Sequence, residues 1–199
     1  MPSVNLLNKI DLPGADYQYF IKNAVKNIES ANSALMNEEE RHLFEYTKLN
    51  IKRSERIEKT YAVSPVLNEM LMKIDKPQVW MAITEIWCGD SAQNLPYIAK
   101  MADVNPMISL KIVLRDQNPA IMEQYLTNGT RSIPILVSFD SDQNELFRWG
   151  PRPKEAAELV RKAKEEGKPK DKFIEELHLW YGRNKGKAIE EEFIALLSK

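Results

Sequence analysis

Between Val79 and Ile86 nearly every residue is apolar, whichever side of an extended chain it would occupy. A half-exposed strand alternates apolar and polar residues, so a run of this kind needs cover on both faces and reads as a central strand. The cover is written nearby. Residues from about Ser91 to Ala102 predict a helix, and Ile108 to Leu114 predict a second strand, at a separation that suits a crossover between parallel neighbours. Pro119 to Asn128 predicts a further helix closed by Gly129. Pro134 to Phe139 and Glu145 to Trp149 predict two strands joined as a hairpin around Ser141-Asp142-Gln143-Asn144. The pattern is that of an α/β domain with a mixed sheet.

Both ends read differently. Tyr17, Phe20, Ile21, Ala24, Val25 and Ile28 recur at helical spacing after a Pro13-Gly14 turn. Asn37 followed by Glu38, Glu39 and Glu40 resembles an N-cap with an acidic first turn, opening a long polar helix to about Tyr61. Ser64-Pro65 caps another helix with an apolar stripe of Leu67, Met70, Leu71 and Ile74. Beyond the hairpin, Pro153 to Glu166, Lys170 to Tyr181 and Lys185 to Leu197 predict three helices, the first stopped by Gly167 and Pro169. The expected organisation is a helical extension over 1–76, a core over 77–166 and a second helical extension over 167–199 packed on that core.

Composition narrows the class of function. The 28 basic and 29 acidic side chains are mixed along 199 residues, so neither nucleic acid nor a membrane surface is an expected partner. Apolar runs such as Ile133 to Val137 are far below the roughly 20 residues that span a bilayer. Met1-Pro2-Ser3-Val4-Asn5 shows no leader pattern, and a cytoplasmic location is expected. The chain has one cysteine, Cys88. A single thiol closes no internal disulfide, which fits a reducing compartment, and any disulfide it makes joins a second molecule.

Cys88 stands just past the central strand and just before a helix. Backbone N–H groups and the helix dipole at that position favour a thiolate, so the sequence predicts a thiol activated near neutral pH; the alternative is a buried, inert cysteine. His42 and His178 are single, with no metal-ligand spacing, and are expected to pack helices or face solvent; neither a metal nor another cofactor is expected.

Several separate stretches over roughly residues 77 to 165 resemble the thioredoxin family. Trp87-Cys88-Gly89-Asp90-Ser91 is similar to its Trp-Cys-Gly-Pro-Cys site, with Pro96 where the active-site helix carries a kinking proline. Asp116-Gln117-Asn118-Pro119 is similar to a segment after the next strand, and Arg131-Ser132-Ile133-Pro134 resembles the loop before the cis-proline. The resemblance implies a thioredoxin-like fold with a sheet of about four to five strands, and a cis Ile133–Pro134 bond that turns the backbone of Ile133 toward the cysteine to pair with a bound polypeptide. It implies Cys88 and Ser91 as catalytic positions, with Trp87, Gly89, Asp90, Ile133 and Pro134 around the substrate.

The departures from the family matter as much. Ser91 replaces the second thiol, so it donates a hydrogen bond but cannot resolve a mixed disulfide. The buried aspartate of many thioredoxins is matched here by Ala82, and Glu85 is expected to be a solvated strand-end acid. Asp90 reads as a first-turn helix acid that opposes a neighbouring thiolate. Arg152, in Trp149-Gly150-Pro151-Arg152-Pro153, either meets an anionic partner or only turns the chain into the next helix. Cys-Gly-Asp-Ser is also similar to the Cys-Gly-Phe-Ser site of monothiol glutaredoxins, although Trp87 and the Ile-Pro loop fit thioredoxin better. The implied function is monothiol exchange with protein or small-molecule disulfides, completed by an external thiol. The alternatives are a redox-inactive binding or chaperone-like module and a thiol-conjugating or glutathione-handling protein.

Overall fold

The computed structural model describes residues 16–198. The Pro13-Gly14 turn and the first residues of the chain lie outside that range. Strand β1 (Gln78–Thr84) is central: it pairs in parallel with β2 (Ile108–Leu114) and antiparallel with β3 (Ile135–Phe139), which pairs antiparallel with β4 (Glu145–Trp149). The sheet order is β2-β1-β3-β4, and Ala82 faces Ile112 on one side and Leu136 on the other.

Successive side chains of a strand point to opposite faces, and β1 divides accordingly. Trp80 and Ala82 enter one apolar layer, and Met81 and Ile83 the other, all four fully buried. Five described helices supply side chains to the first layer. They are α1 (Tyr17–Ser30), α2 (Glu38–Thr60), α3 (Pro65–Met72), α4 (Gly89–Ala102) and a C-terminal helix described below. The second layer is covered by α5 (Pro119–Met122) and the segment after it.

The caps follow the sequence. Asn37 and Glu40 form a reciprocal capping box at α2, and the Ser64 hydroxyl accepts from Leu67 N before Pro65 at the first turn of α3. Helix α6 (Lys154–Glu165) leads to α7 (Lys170–Asn184), and α8 (Lys187–Leu197) follows a break at Lys185 and Gly186, both in the left-handed region. Phe193 of α8 is fully buried against Trp80, with ring centroids 5.6 Å apart. None of the helices is long and apolar enough to cross a membrane, among the described residues.

One predicted helix is much shorter than expected. The stretch Pro119 to Asn128 is helical only to Met122. Asn128 and Gly129 both take positive φ, and Thr127 and Thr130 exchange backbone hydrogen bonds of 2.9 Å across them. Asn-Gly favours that tight turn more than it favours a helix end, and the turn lets Tyr125 reach the second apolar layer. Strand β1 also ends at Thr84 rather than Ile86, because the chain turns there to bring Cys88 N to Glu85 O at 3.1 Å.

Candidate active site

Cys88 is itself the N-cap of α4, one turn beyond β1. Its Sγ accepts from the backbone N–H of Ser91 at 3.5 Å and donates to the carbonyl of Ile133 at 3.3 Å. The Ile133–Pro134 bond is cis, as the resemblance implied, and the loop before β3 meets the start of α4 at the sulfur. A second cis bond, Gly150–Pro151, lies beside it. Gly150 has φ of 117° and its missing side chain would run into the carbonyl oxygen of Pro134, so the two proline loops stack backbone on backbone.

Cys88 is 8% exposed. Burial pushes its thiol up and the Asp90 carboxylate adds to the rise, while the Ser91 hydroxyl and the backbone N–H groups of Ser91 and Asp90 pull the other way. The direction is opposite to the activation expected from the helix N-terminus. A dipole acts on a thiolate by a fraction of a charge, whereas removing that charge from water costs more.

The remaining predicted positions are spread around the sulfur. Ser91 is buried, and its Oγ accepts from Thr84 Oγ1 at 2.7 Å, which leaves the serine proton to be donated. Trp87 is half-buried against the second apolar layer, with the Arg115 guanidinium 4.7 Å above its ring. Asp90 is no free helix acid: it forms an ion pair with Arg152 and accepts at Oδ1 from the Tyr181 hydroxyl at 2.7 Å. Asn94 donates to Tyr181 Oη at 3.0 Å and to the Asp90 carbonyl at 2.7 Å. Arg152 therefore meets an anion of its own chain, and the loop after β4, the start of α4 and α7 are tied together at Asp90, two residues from Cys88.

Glu85 departs from expectation too. Rather than being solvated, it is buried and accepts from the backbone N–H of Asp116 at 2.8 Å; burial raises its pKa against that hydrogen bond. The carboxylate fastens the Asp116-Gln117-Asn118-Pro119 segment to the end of β1.

Sequence reasoning expected His178 to pack a helix or face solvent, and missed Tyr46, Arg53 and Gln93 altogether. His178 of α7 bridges the Tyr46 hydroxyl through Nε2 and the Gln93 amide through Nδ1, each at 3.2 Å. Burial, with Arg53 adding to it, lowers His178 to about 4 against a weaker pull from Asp90, so its ring is neutral at pH 7. The pair sits over Gly89: a side chain there would start 2.8 Å from Tyr46 Oη and 3.1 Å from His178 Cε1. His42 is exposed, its ring stacked on that of Tyr46 at 6.3 Å.

A family model described as thioredoxin matches residues 36–165. The chain belongs to the thioredoxin family. The match includes α2 and the whole sheet, while α7, which carries His178 and Tyr181, lies past its end. No curated protein matches the chain. Among solved structures, a protein of unknown function from Pseudomonas aeruginosa is similar with a TM-score of 0.64 and 17% identity, over 98% of each chain. An HIV epitope-scaffold is similar with a TM-score of 0.63 and 18% identity, again over 98% of each. At such identities the likeness concerns the fold, and it extends to the terminal helices as well as the sheet.

Proposed function

We propose that this thioredoxin-family protein carries out monothiol thiol–disulfide exchange through Cys88. The observation that carries the reading is the 3.3 Å contact of Cys88 Sγ with the Ile133 carbonyl at the cis-proline loop, which puts a lone thiol beside backbone groups able to pair with an extended chain. Cys88 gives its proton to solvent, and the thiolate attacks one sulfur of a partner disulfide. The new Cys88–sulfur bond forms as the partner's S–S bond breaks, and the other sulfur leaves as a thiolate. With serine at position 91 the reaction halts there until an external thiol attacks the mixed disulfide and releases Cys88.

In this reading Ser91 donates to the sulfur while it is negative, Ile133 and Pro134 hold the partner, and Trp87, Gly89 and Asp90 form the surrounding rim. Residues 77–166 act as the exchange core, and a cytoplasmic setting supplies the external thiol. The test is incubation with a linear protein disulfide and with the disulfide of mercaptoethanol, read by intact mass. Wild type gains one adduct that thiol removes, and Cys88→Ser gains none.

A second reading has its own support. The thiol is buried and held toward its protonated form, as suits a module that binds polypeptide without turnover. It is the better account if no adduct forms even at pH 9 while both wild type and Cys88→Ser bind the same extended peptides.

A further inference from the structure

A groove of about 1290 Å3 opens beside Cys88 between α2 and α7, with Trp87, Cys88, Gly89 and Gln93 at its base. Its walls combine two chemistries. Leu43, Leu49 and Leu179 are 46%, 44% and 54% exposed and join Ile174 as apolar lining. Apolar side chains grouped around a reactive atom, rather than scattered, are the mark of a ligand surface. The same walls carry Arg53, Arg56 and Lys170, and none of the three has an ion-pair partner among the described residues. Asp171 and Glu175 also line it, at the start of α7. Arg53 lies 5.5 Å from the centre of the Tyr46 ring, and Tyr46 lies against Gly89.

The hydrogen bonds around Tyr46 leave a donor to spare. Gln93 Nε2 only donates, so Nδ1 of the neutral His178 accepts from it and Nε2 carries the ring proton. Nε2 then donates to Tyr46 Oη, and the phenol keeps its own proton for another acceptor. A hydroxyl donor, set against the residue after the thiol, and a guanidinium thus sit together in the lining of an apolar groove.

We propose that this groove binds a small disulfide, or the corresponding thiol, that joins an apolar body to a carboxylate. Tyr46 and Arg53 hold the carboxylate, the leucines take the apolar body, and the sulfur meets Cys88. The assignment rests on the exchange reading for its chemistry: the Cys88 proton goes to solvent, the Cys88 sulfur bonds to the carboxylate-bearing half, and the other half leaves as a thiolate.

The test compares two linear reagents of equal intrinsic reactivity, the disulfide of mercaptohexanoate and the disulfide of mercaptohexanol, with adduct formation at Cys88 followed by mass. The carboxylate reagent is expected to react at least about ten times faster, the gain of one charge-assisted hydrogen bond. In Arg53→Gln and in Tyr46→Phe the ratio of the two rates falls to within about two-fold, whatever either change does to the rates themselves. Equal rates in wild type overturn the proposal. A further arm separates the two readings: mercaptohexanoate is titrated into Cys88→Ser and the Trp87 indole resonance is followed by NMR. Saturable shifts there without any adduct in wild type keep the groove and remove the exchange, whereas absence of shifts removes the groove. Adducts formed equally from both reagents keep the exchange alone.

Discussion

The two flanks of Cys88 are built from different material. On the flank toward β3 the sulfur meets backbone: the Ile133 carbonyl, the cis Ile133–Pro134 bond and, behind it, the stacked Gly150–Pro151 loop. On the flank toward the terminal helices lie side chains, namely the Asp90–Arg152–Tyr181 cluster and the Tyr46–His178–Gln93 bridge over Gly89. Backbone geometry suits a partner chosen for its extended shape, while side chains confer chemical preference. The backbone flank lies within the stretch that the family model matches, whereas part of the side-chain flank comes from α7, past its end.

The largest effect is expected at Asp90. Asp90→Asn removes one member of a mostly buried ion pair that also receives the Tyr181 hydroxyl, and should lower unfolding stability by about 3 kcal/mol in a denaturant titration. Because the Asp90 charge raises Cys88, the same variant should alkylate faster with iodoacetamide at neutral pH. A slower reaction would mean that the cluster positions the thiol rather than opposing its charge.

Next comes the histidine. His178 titrates at about 4 when folded and near 6.5 when unfolded. Between those values the unfolded chain binds the extra proton, so stability is intact above pH 6.5 and is lost as pH falls toward 4. The loss should be on the order of 2–3 kcal/mol and should vanish in His178→Gln. An unchanged pH profile in that variant would assign acid sensitivity elsewhere and weaken the contrast between the flanks.

Gly89→Ala should cost about 1–3 kcal/mol, since the new methyl meets Tyr46 and His178. In a Tyr46→Phe background the cost should shrink, because the atom at 2.8 Å is gone; additivity of the two changes would show that the bridge yields freely. Tyr181→Phe is expected to have the smallest effect, about 1.5 kcal/mol, chiefly for its hydrogen bond to the Asp90 carboxylate, measured by thermal unfolding. Alkylation of wild type across pH sharpens the whole picture: the Cys88 profile should lie above the usual thiol value of about 8.5.

Much of the backbone flank was legible in the chain itself. The apolar run after Lys76-Pro77 announced a covered strand, and Ile133-Pro134 and Trp87-Cys88-Gly89 carried the thioredoxin resemblance. What failed was local chemistry with two outlets. Asn128-Gly129 closes a tight turn as well as it ends a helix, and a cysteine at a helix start is either stabilised as thiolate by the dipole or held as thiol by burial. Glu85 read as solvated because its partner, Asp116 N–H, lies across the sheet end.

By itself the sequence determined what local physics controls: the helix caps at Asn37 and Ser64, the alternation of β1 between two apolar layers, and the lone thiol at a strand-to-helix junction. Tertiary structure alone decided the state of that thiol. Its burial, the capture of Asp90 by Arg152 and Tyr181, and the neutral His178 over Gly89 join residues up to 132 positions apart. Charge and desolvation act through space, so no spacing along the chain records them.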